Sequence, residues 1–117
     1  MSHNYEWGEH LGRGTYSQVF FAVRLADKKK VAIKCIHEKQ GILFHPSAAR
    51  EIAVLEKCKG AKRVIQMHEW FVSTLEHVKS YDELDGNSRE KHICIVLDIG
   101  IDFSSIDIGG WNFVSNR

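Results

Sequence analysis

Apolar residues in this chain recur with two different periods, and the changes of period mark its elements. Tyr5, Trp7, Glu9 and Leu11 share one side of an alternating stretch, which predicts a first strand with Trp7 as a packing residue. Val19, Phe21 and Val23 then alternate with Gln18, Phe20 and Ala22, the two-residue period of a second strand. Residues 26–30 form a polar turn, and the β-branched run at residues 31–36, VAIKCI, completes a hairpin. A loop at residues 37–45 precedes a change to helical spacing, carried by Ala48, Ile52 and Leu55. Pro46 suits a first helical position, with Ser47 as an alternative N-cap, and Lys57, Lys59 and Lys62 cluster around Gly60 as a helix C-terminus prefers. A helix over residues 46–59 is predicted.

Residues 63–72, RVIQMHEWFV, return to a strand pattern with Met67 packing beside Leu55, and residues 92–99, HICIVLDI, form a nearly continuous apolar run that suits a buried strand. Between them, residues 73–91 carry Asp82, Glu83, Asp85, Arg89 and Glu90 and a turn signal at Asp85-Gly86-Asn87. This stretch reads as a solvated, partly mobile insertion. Short connections between the first three runs favour antiparallel order. The expected fold class is α+β: a twisted, five-stranded antiparallel sheet with one helix packed on it.

Two features carry candidate chemistry. Gly12 and Gly14 flank Arg13 at the end of the first strand, where the backbone is free to take positive φ and to approach a ligand that a Cβ would push away. Phosphate is the usual ligand of such a turn. In the third run, Lys34 shares a face with Ala32 and Ile36. An ammonium among apolar strand neighbours requires an anionic partner. Glu51, on the helix side that carries Leu55, is a candidate, although periodicity alone equally allows a solvated carboxylate like Glu56.

Composition narrows the function classes. With 16 basic and 15 acidic residues and 44% apolar composition, the chain has the balance of a soluble globular domain and no electrostatic footprint for nucleic acid or membrane. It also lacks the aromatic motif of an RNA-binding sheet. No apolar h-region follows the N-terminus and no segment approaches the roughly 18 apolar residues of a membrane span, so a cytoplasmic or nuclear location is expected. Cys35, Cys58 and Cys94 have no metal-binding or disulfide spacing and read as reduced core thiols. The seven histidines show no metal-binding pair.

The order G-x-G-x-x-S-x-V followed by V-A-I-K resembles the first two landmarks of the eukaryotic serine/threonine protein kinases. The resemblance implies an N-terminal lobe over residues 1–100, with an insertion at about 73–91. It implies that Leu11, Gly12, Arg13, Gly14, Thr15, Tyr16, Ser17 and Val19 cover the phosphates of ATP, and that Lys34 holds them while pairing with Glu51 of the family's helix C, 17 residues on. It also implies that Ala32 and Leu97 line the adenine pocket and that the backbone at residues 98–100, from Asp98 to Gly100, pairs with the adenine edge. Ser17 stands where the family usually has its third glycine. The loop and helix residues resemble both the casein-kinase-two catalytic subunits and the cell-division-cycle kinases that fire replication origins, more the second.

The resemblance ends near residue 100. Residues 101–117, IDFSSIDIGGWNFVSNR, are a divergent tail with neither H-R-D-x-x-x-x-N nor a D-F-G that follows it. No residue of this chain is therefore a candidate for the family's catalytic aspartate or magnesium ligands, and the chain reads as a truncated kinase, inactive alone. ATP is the implied cofactor. The implied partners are a regulatory protein contacting helix C and, only with a second lobe present, a protein substrate. The rival reading is a non-catalytic interaction module that retains the sheet and helix.

Overall fold

The computed structural model describes residues 4–14, 17–37, 46–81, 88–99, 107–108 and 111–112. Strands β1 (Tyr5–Arg13), β2 (Ser17–Arg24), β3 (Lys29–His37), β4 (Gln66–Ser73) and β5 (His92–Asp98) form one antiparallel sheet in the order β1-β2-β3-β5-β4. Helix α1 (Pro46–Lys57) lies between β3 and β4 in the chain. In the tail, β6 (Asp107–Ile108) and β7 (Trp111–Asn112) pair as a two-residue ribbon. The predicted five-stranded sheet with one helix is therefore the fold, and the swap of β5 inside β4 places the most continuous apolar run of the chain in the interior of the sheet.

Strand alternation separates the core into two layers. On the inner face, Val19, Ala32, Ile36, Ile93, Ile95, Leu97 and Ile99 pack with Ala48 of α1, and Leu11, Phe21, Ile52, Leu55, Ile65 and Met67 close around them. On the outer face, Phe20, Ala22, Val31, Ile33, Cys35, Cys94 and Val96 form the second layer, with Trp7 and Phe71 at its margins. Trp7 meets Phe20 edge to face, at 5.7 Å between ring centroids, and is the packing residue its alternation implied. The buried free thiols of Cys35 and Cys94 face each other across the β3–β5 pair.

The outer layer is covered by a segment that composition alone marked as a solvated insertion. In fact Leu75, Val78 and Tyr81 are buried in the outer core. Two successive tight turns, Val78 N–H to Leu75 O at 3.0 Å and Tyr81 N–H to Val78 O at 3.1 Å, return every third side chain to the sheet, and Glu76, His77 and Lys79 remain exposed between them. The strap is tied down by Ser80, whose hydroxyl donates to the Gly8 carbonyl of β1, and by Leu75 N–H, which donates to Ser88 O at 2.8 Å. A spacing of three inside a charged background escaped a reading tuned to periods of two and 3.6. The turn expected at Asp85-Gly86-Asn87 lies outside the described residues.

The boundaries of the helix and of the fourth strand also differ from expectation, for a local reason. The helix ends at Lys57 rather than at residue 59, and Gly60 takes φ +83° just beyond it. Gln66 then caps the turn: its Oε1 accepts from Gly60 N–H at 2.7 Å, while its Nε2 donates to the carbonyls of Cys58, Ala61 and Val64. Arg63 adopts φ 64°, so residues 63–65 form the bend and β4 starts at Gln66. The loop assigned to residues 37–45 lies outside the described residues except for His37, which is the last residue of β3.

Candidate functional site

The candidate site lies on the inner face of the sheet, beneath the turn that joins β1 to β2. Register places its parts. Gly12 pairs with Val19, Val19 with Lys34, and Lys34 with Ile95, so turn, lysine and β5 form one row across the sheet. In the row toward the end of β5, Ala32 pairs with Leu97. Val19, Ala32 and Leu97 are buried and Leu11 packs against them, which gives the site an apolar floor and wall.

At the turn, Gly14 N–H donates to Ser17 O at 2.8 Å, closing the loop over two residues. Neither Gly12 nor Gly14 is among the described residues with positive φ, in contrast to the expectation from the glycine spacing. Gly12 continues β1 instead, so its value to the site is the missing side chain and not a left-handed backbone. Arg13 is exposed beside them and pairs with Gln18. Thr15 and Tyr16 lie outside the described residues, as does Gly100 at the other end of the site.

Lys34 is 4% exposed, among the apolar residues of β3. Its Nζ meets both carboxylate oxygens of Glu51, at 3.0 and 2.8 Å. Helix α1 brings the carboxylate there because Ala48, Ile52 and Leu55 bury the neighbouring positions of the same helix face. The pair is closed and two-pronged. Charge-assisted contacts of this kind offset the desolvation of the buried ammonium. The arrangement leaves a fixed cation under a glycine turn, beside an apolar slot. That combination suits a ligand with a polyanionic end and a flat apolar end.

Asp98 ends β5 beside the slot with its side chain on the outer face, and here the structure adds Lys29 and His68, which the sequence did not single out. Its side-chain Oδ2 lies 3.4 Å from Lys29 Nζ of β3 and 3.6 Å from His68 Nε2 of β4. Burial and the neighbouring Arg24 guanidinium hold the His68 imidazole below its ordinary range, against the pull of Asp98. Nearby, Asp27 is held down to about 2 by its hydrogen bond with Arg24, whose guanidinium grips it at 2.7 and 3.0 Å. Tyr5 donates to Glu69, and burial and that bond push the phenol up. Since β1 and β4 are opposite edges of the sheet, this last contact shows that the sheet curls until its edges meet. Alternation would have placed these groups on one face, but no local signal announces contacts between strands 64 residues apart.

Among the described residues no group of three or more His, Cys, Asp or Glu side chains is arranged to hold a metal ion. The charged groups at the site are one lysine and the glutamate paired with it.

Comparison with known proteins agrees with this geometry. The protein kinase domain family matches residues 5–102. The chain is similar to cyclin-dependent kinase F-1 of Arabidopsis thaliana, 42% identical over 67 residues, which is 57% of this chain and 13% of that protein. It is also similar to MAP kinase-interacting serine/threonine-protein kinase 2 of Xenopus laevis, 29% identical over 85 residues, 73% of this chain and 18% of that protein. Receptor like protein kinase S.2 of Arabidopsis thaliana is 25% identical over 97 residues, 83% of this chain and 11% of that protein. The chain thus spans between 11% and 18% of the length of these curated relatives. A curled five-stranded antiparallel sheet, a helix whose glutamate meets the β3 lysine, and a family match over residues 5–102 lead to one conclusion: the chain belongs to the protein kinase domain family, of which it carries the N-terminal lobe.

Proposed function

We propose that this chain is the ATP-holding portion of a serine/threonine protein kinase. The observation that carries the reading is the Lys34–Glu51 pair at 2.8 Å on the same sheet face as Val19, Ala32 and Leu97. In this reading the backbone around Gly12 and Gly14 approaches the phosphates and Lys34 neutralises them. Ala32 and Leu97, side by side on the inner face, line one side of the adenine pocket, and the backbone beyond Leu97 meets the polar edge of the base. Bound ATP supplies the transferable phosphoryl group. The residues that activate an acceptor hydroxyl and ligate magnesium in such reactions have no counterpart in these 117 residues, so this polypeptide on its own is expected to transfer no phosphate. A protein substrate enters the reading only together with a second lobe.

The test is calorimetric titration with ATP of the unaltered chain, Lys34→Met and Cys35→Ser. Cys35 neighbours Lys34 in sequence but is buried in the outer layer, so Cys35→Ser retains binding while Lys34→Met loses it. Equal loss in both variants, or retention in Lys34→Met, overturns the assignment. Radiolabelled transfer to a protein substrate by the purified chain, abolished in Lys34→Met, would show that the chain is catalytically complete.

A second reading, a non-catalytic module that binds a regulator through α1, has one favouring observation. Val54 on α1 is 53% exposed, and Trp70 and Val72 on β4 are also exposed apolar residues.

A further inference from the structure

The outer face of the sheet has two unlike halves. One is apolar and lies beneath the strap of Leu75, Val78 and Tyr81. The other, at the end of β5 where the adenine edge would be met, is polar and centres on Asp98. Its carboxylate belongs to the last residue of β5, and one oxygen, Oδ2, is shared between Lys29 Nζ at 3.4 Å and His68 Nε2 at 3.6 Å. These two partners come from the strands on either side of β5, since β3 and β4 are its neighbours in the sheet. His68 also sits at an irregularity, because the β4–β5 register slips between Met67 and Glu69. The extra residue bends β4 and re-aims this one side chain. Its Nε2 is buried and has no hydrogen-bond partner, which leaves Asp98 Oδ2 as the anionic group nearest to it.

We propose that the Asp98 side chain is a positioning residue, held between Lys29 and His68, that sets where β5 ends and hence where the backbone of Asp98 and Ile99 presents itself to the adenine of a bound nucleotide. The proposal rests on the ATP reading above, but it concerns a side chain that points away from the nucleotide. Leu97 and Ile99 face the inner layer, and the alternation sends Asp98 to the opposite face. Its influence runs through the backbone alone. It acts on the base-reading end of the slot and leaves the phosphate end, built from Gly12, Gly14 and Lys34 on other strands, unchanged.

The charged and titratable groups that face His68 are Arg24 of β2, Asp27 of the following turn, Lys29 of β3 and Asp98 of β5. Asp98 and Asp27 favour the protonated imidazole, whereas Arg24 and Lys29 disfavour it. Removing the Asp98 charge therefore lowers the His68 pKa further, and Lys29→Met raises it.

The experiment uses the full chain and three probes, adenosine, inorganic tripolyphosphate and ATP, followed by nuclear magnetic resonance alongside a titration of the His68 imidazole. Asp98→Asn is expected to weaken adenosine about fivefold and to leave tripolyphosphate unchanged, with Asp98→Glu restoring most of the loss. Lys34→Met is expected to do the reverse, losing tripolyphosphate first. In the ligand-free chain Asp98→Asn should also lower the His68 pKa and shift the amide resonance of Ile99. Equal weakening of adenosine and tripolyphosphate in Asp98→Asn, or no change in either, overturns the proposal. If none of the three probes binds the unaltered chain, the ATP reading falls. The placement of β5 by Asp98 is then decided by the His68 titration and the Ile99 amide, and an unmoved pair of readouts overturns it.

Discussion

Lys34 and Glu51 make the same ion pair but do not contribute to it equally. The Lys34 side chain is 5% exposed and the Glu51 side chain 16%. A buried pair broken from one side leaves its other member desolvated, at about 3 to 5 kcal/mol, unless that member can reach water. Glu51 sits on a helix near the surface and can turn outward, whereas the Lys34 ammonium is confined among strand residues. Glu51→Ala is therefore expected to destabilise the chain by about 3 kcal/mol, and Lys34→Met by no more than about 1 kcal/mol, since Met fills the slot without a charge. Urea unfolding of the two variants checks the order. If Lys34→Met were the more harmful, Glu51 would be the member of the pair that cannot reach water.

Among the elements, the strap is the one whose removal has the largest predictable effect on stability. Leu75 is fully buried in the outer layer, in one cluster with Phe20, Ile33 and Cys94. Leu75→Ala is expected to cost about 2 to 3 kcal/mol, the low end of the range for a core leucine, because a loop relaxes into the space more easily than a strand does. Exchange of the strap amides of Val78 and Tyr81 should quicken more than that of the β3 amides, because local opening of the strap does not require the sheet to open. Equal acceleration throughout would mean that strap and sheet unfold as one unit. Helix α1 and β4 are linked in a similar way by Gln66, one side chain that satisfies the backbone groups left over where the helix ends.

For the whole molecule, the perturbed groups predict a dome of stability against pH. His68 and His77 are both held below the ordinary value of 6.5, chiefly by burial, so the unfolded chain takes up protons first. Stability is then lost as pH falls from about 6.5 toward their lowered folded values. Asp27 is shifted in the same direction by a different cause, the hydrogen bond from Arg24 that holds its carboxyl at about 2, so its contribution is fully present above the ordinary 3.8 and is lost as pH falls through about 2. On the alkaline side the buried Cys35 thiol and the Tyr5 phenol are both pushed up. They ionise in the unfolded chain first, and stability falls above about pH 9. Urea midpoints at pH 5.5, 7.5 and 10 should peak at the middle value, and the double variant His68→Gln, His77→Gln should flatten the acid limb. An acid limb unchanged in that variant would assign the loss to other groups.

Much of this protein is legible without coordinates because its signals are local. Alternation set Val19 apart from Phe20 and Ala22 within β2, and Ala32, Lys34 and Ile36 apart from Cys35 within β3, since the pleat sends successive side chains to opposite sides, while the register put Val19 and Lys34 together. The helical spacing of Ala48, Ile52 and Leu55 gave the helix its buried face, and the family resemblance picked Glu51 out as the partner of Lys34. The glycine and lysine motifs, at their spacing, pointed to the family that the comparison confirms. What only the tertiary structure decided depends on contacts between segments distant in sequence. The curl that joins Tyr5 to Glu69 follows from the accumulated twist of five strands and from no single residue. Burial of Leu75, Val78 and Tyr81 required an open apolar face for a three-residue period to cover. The bracing of Asp98 needed both a bulge in β4 and the β3-β5-β4 order, because a shared carboxylate oxygen exists only once its two neighbours have been brought to either side of it.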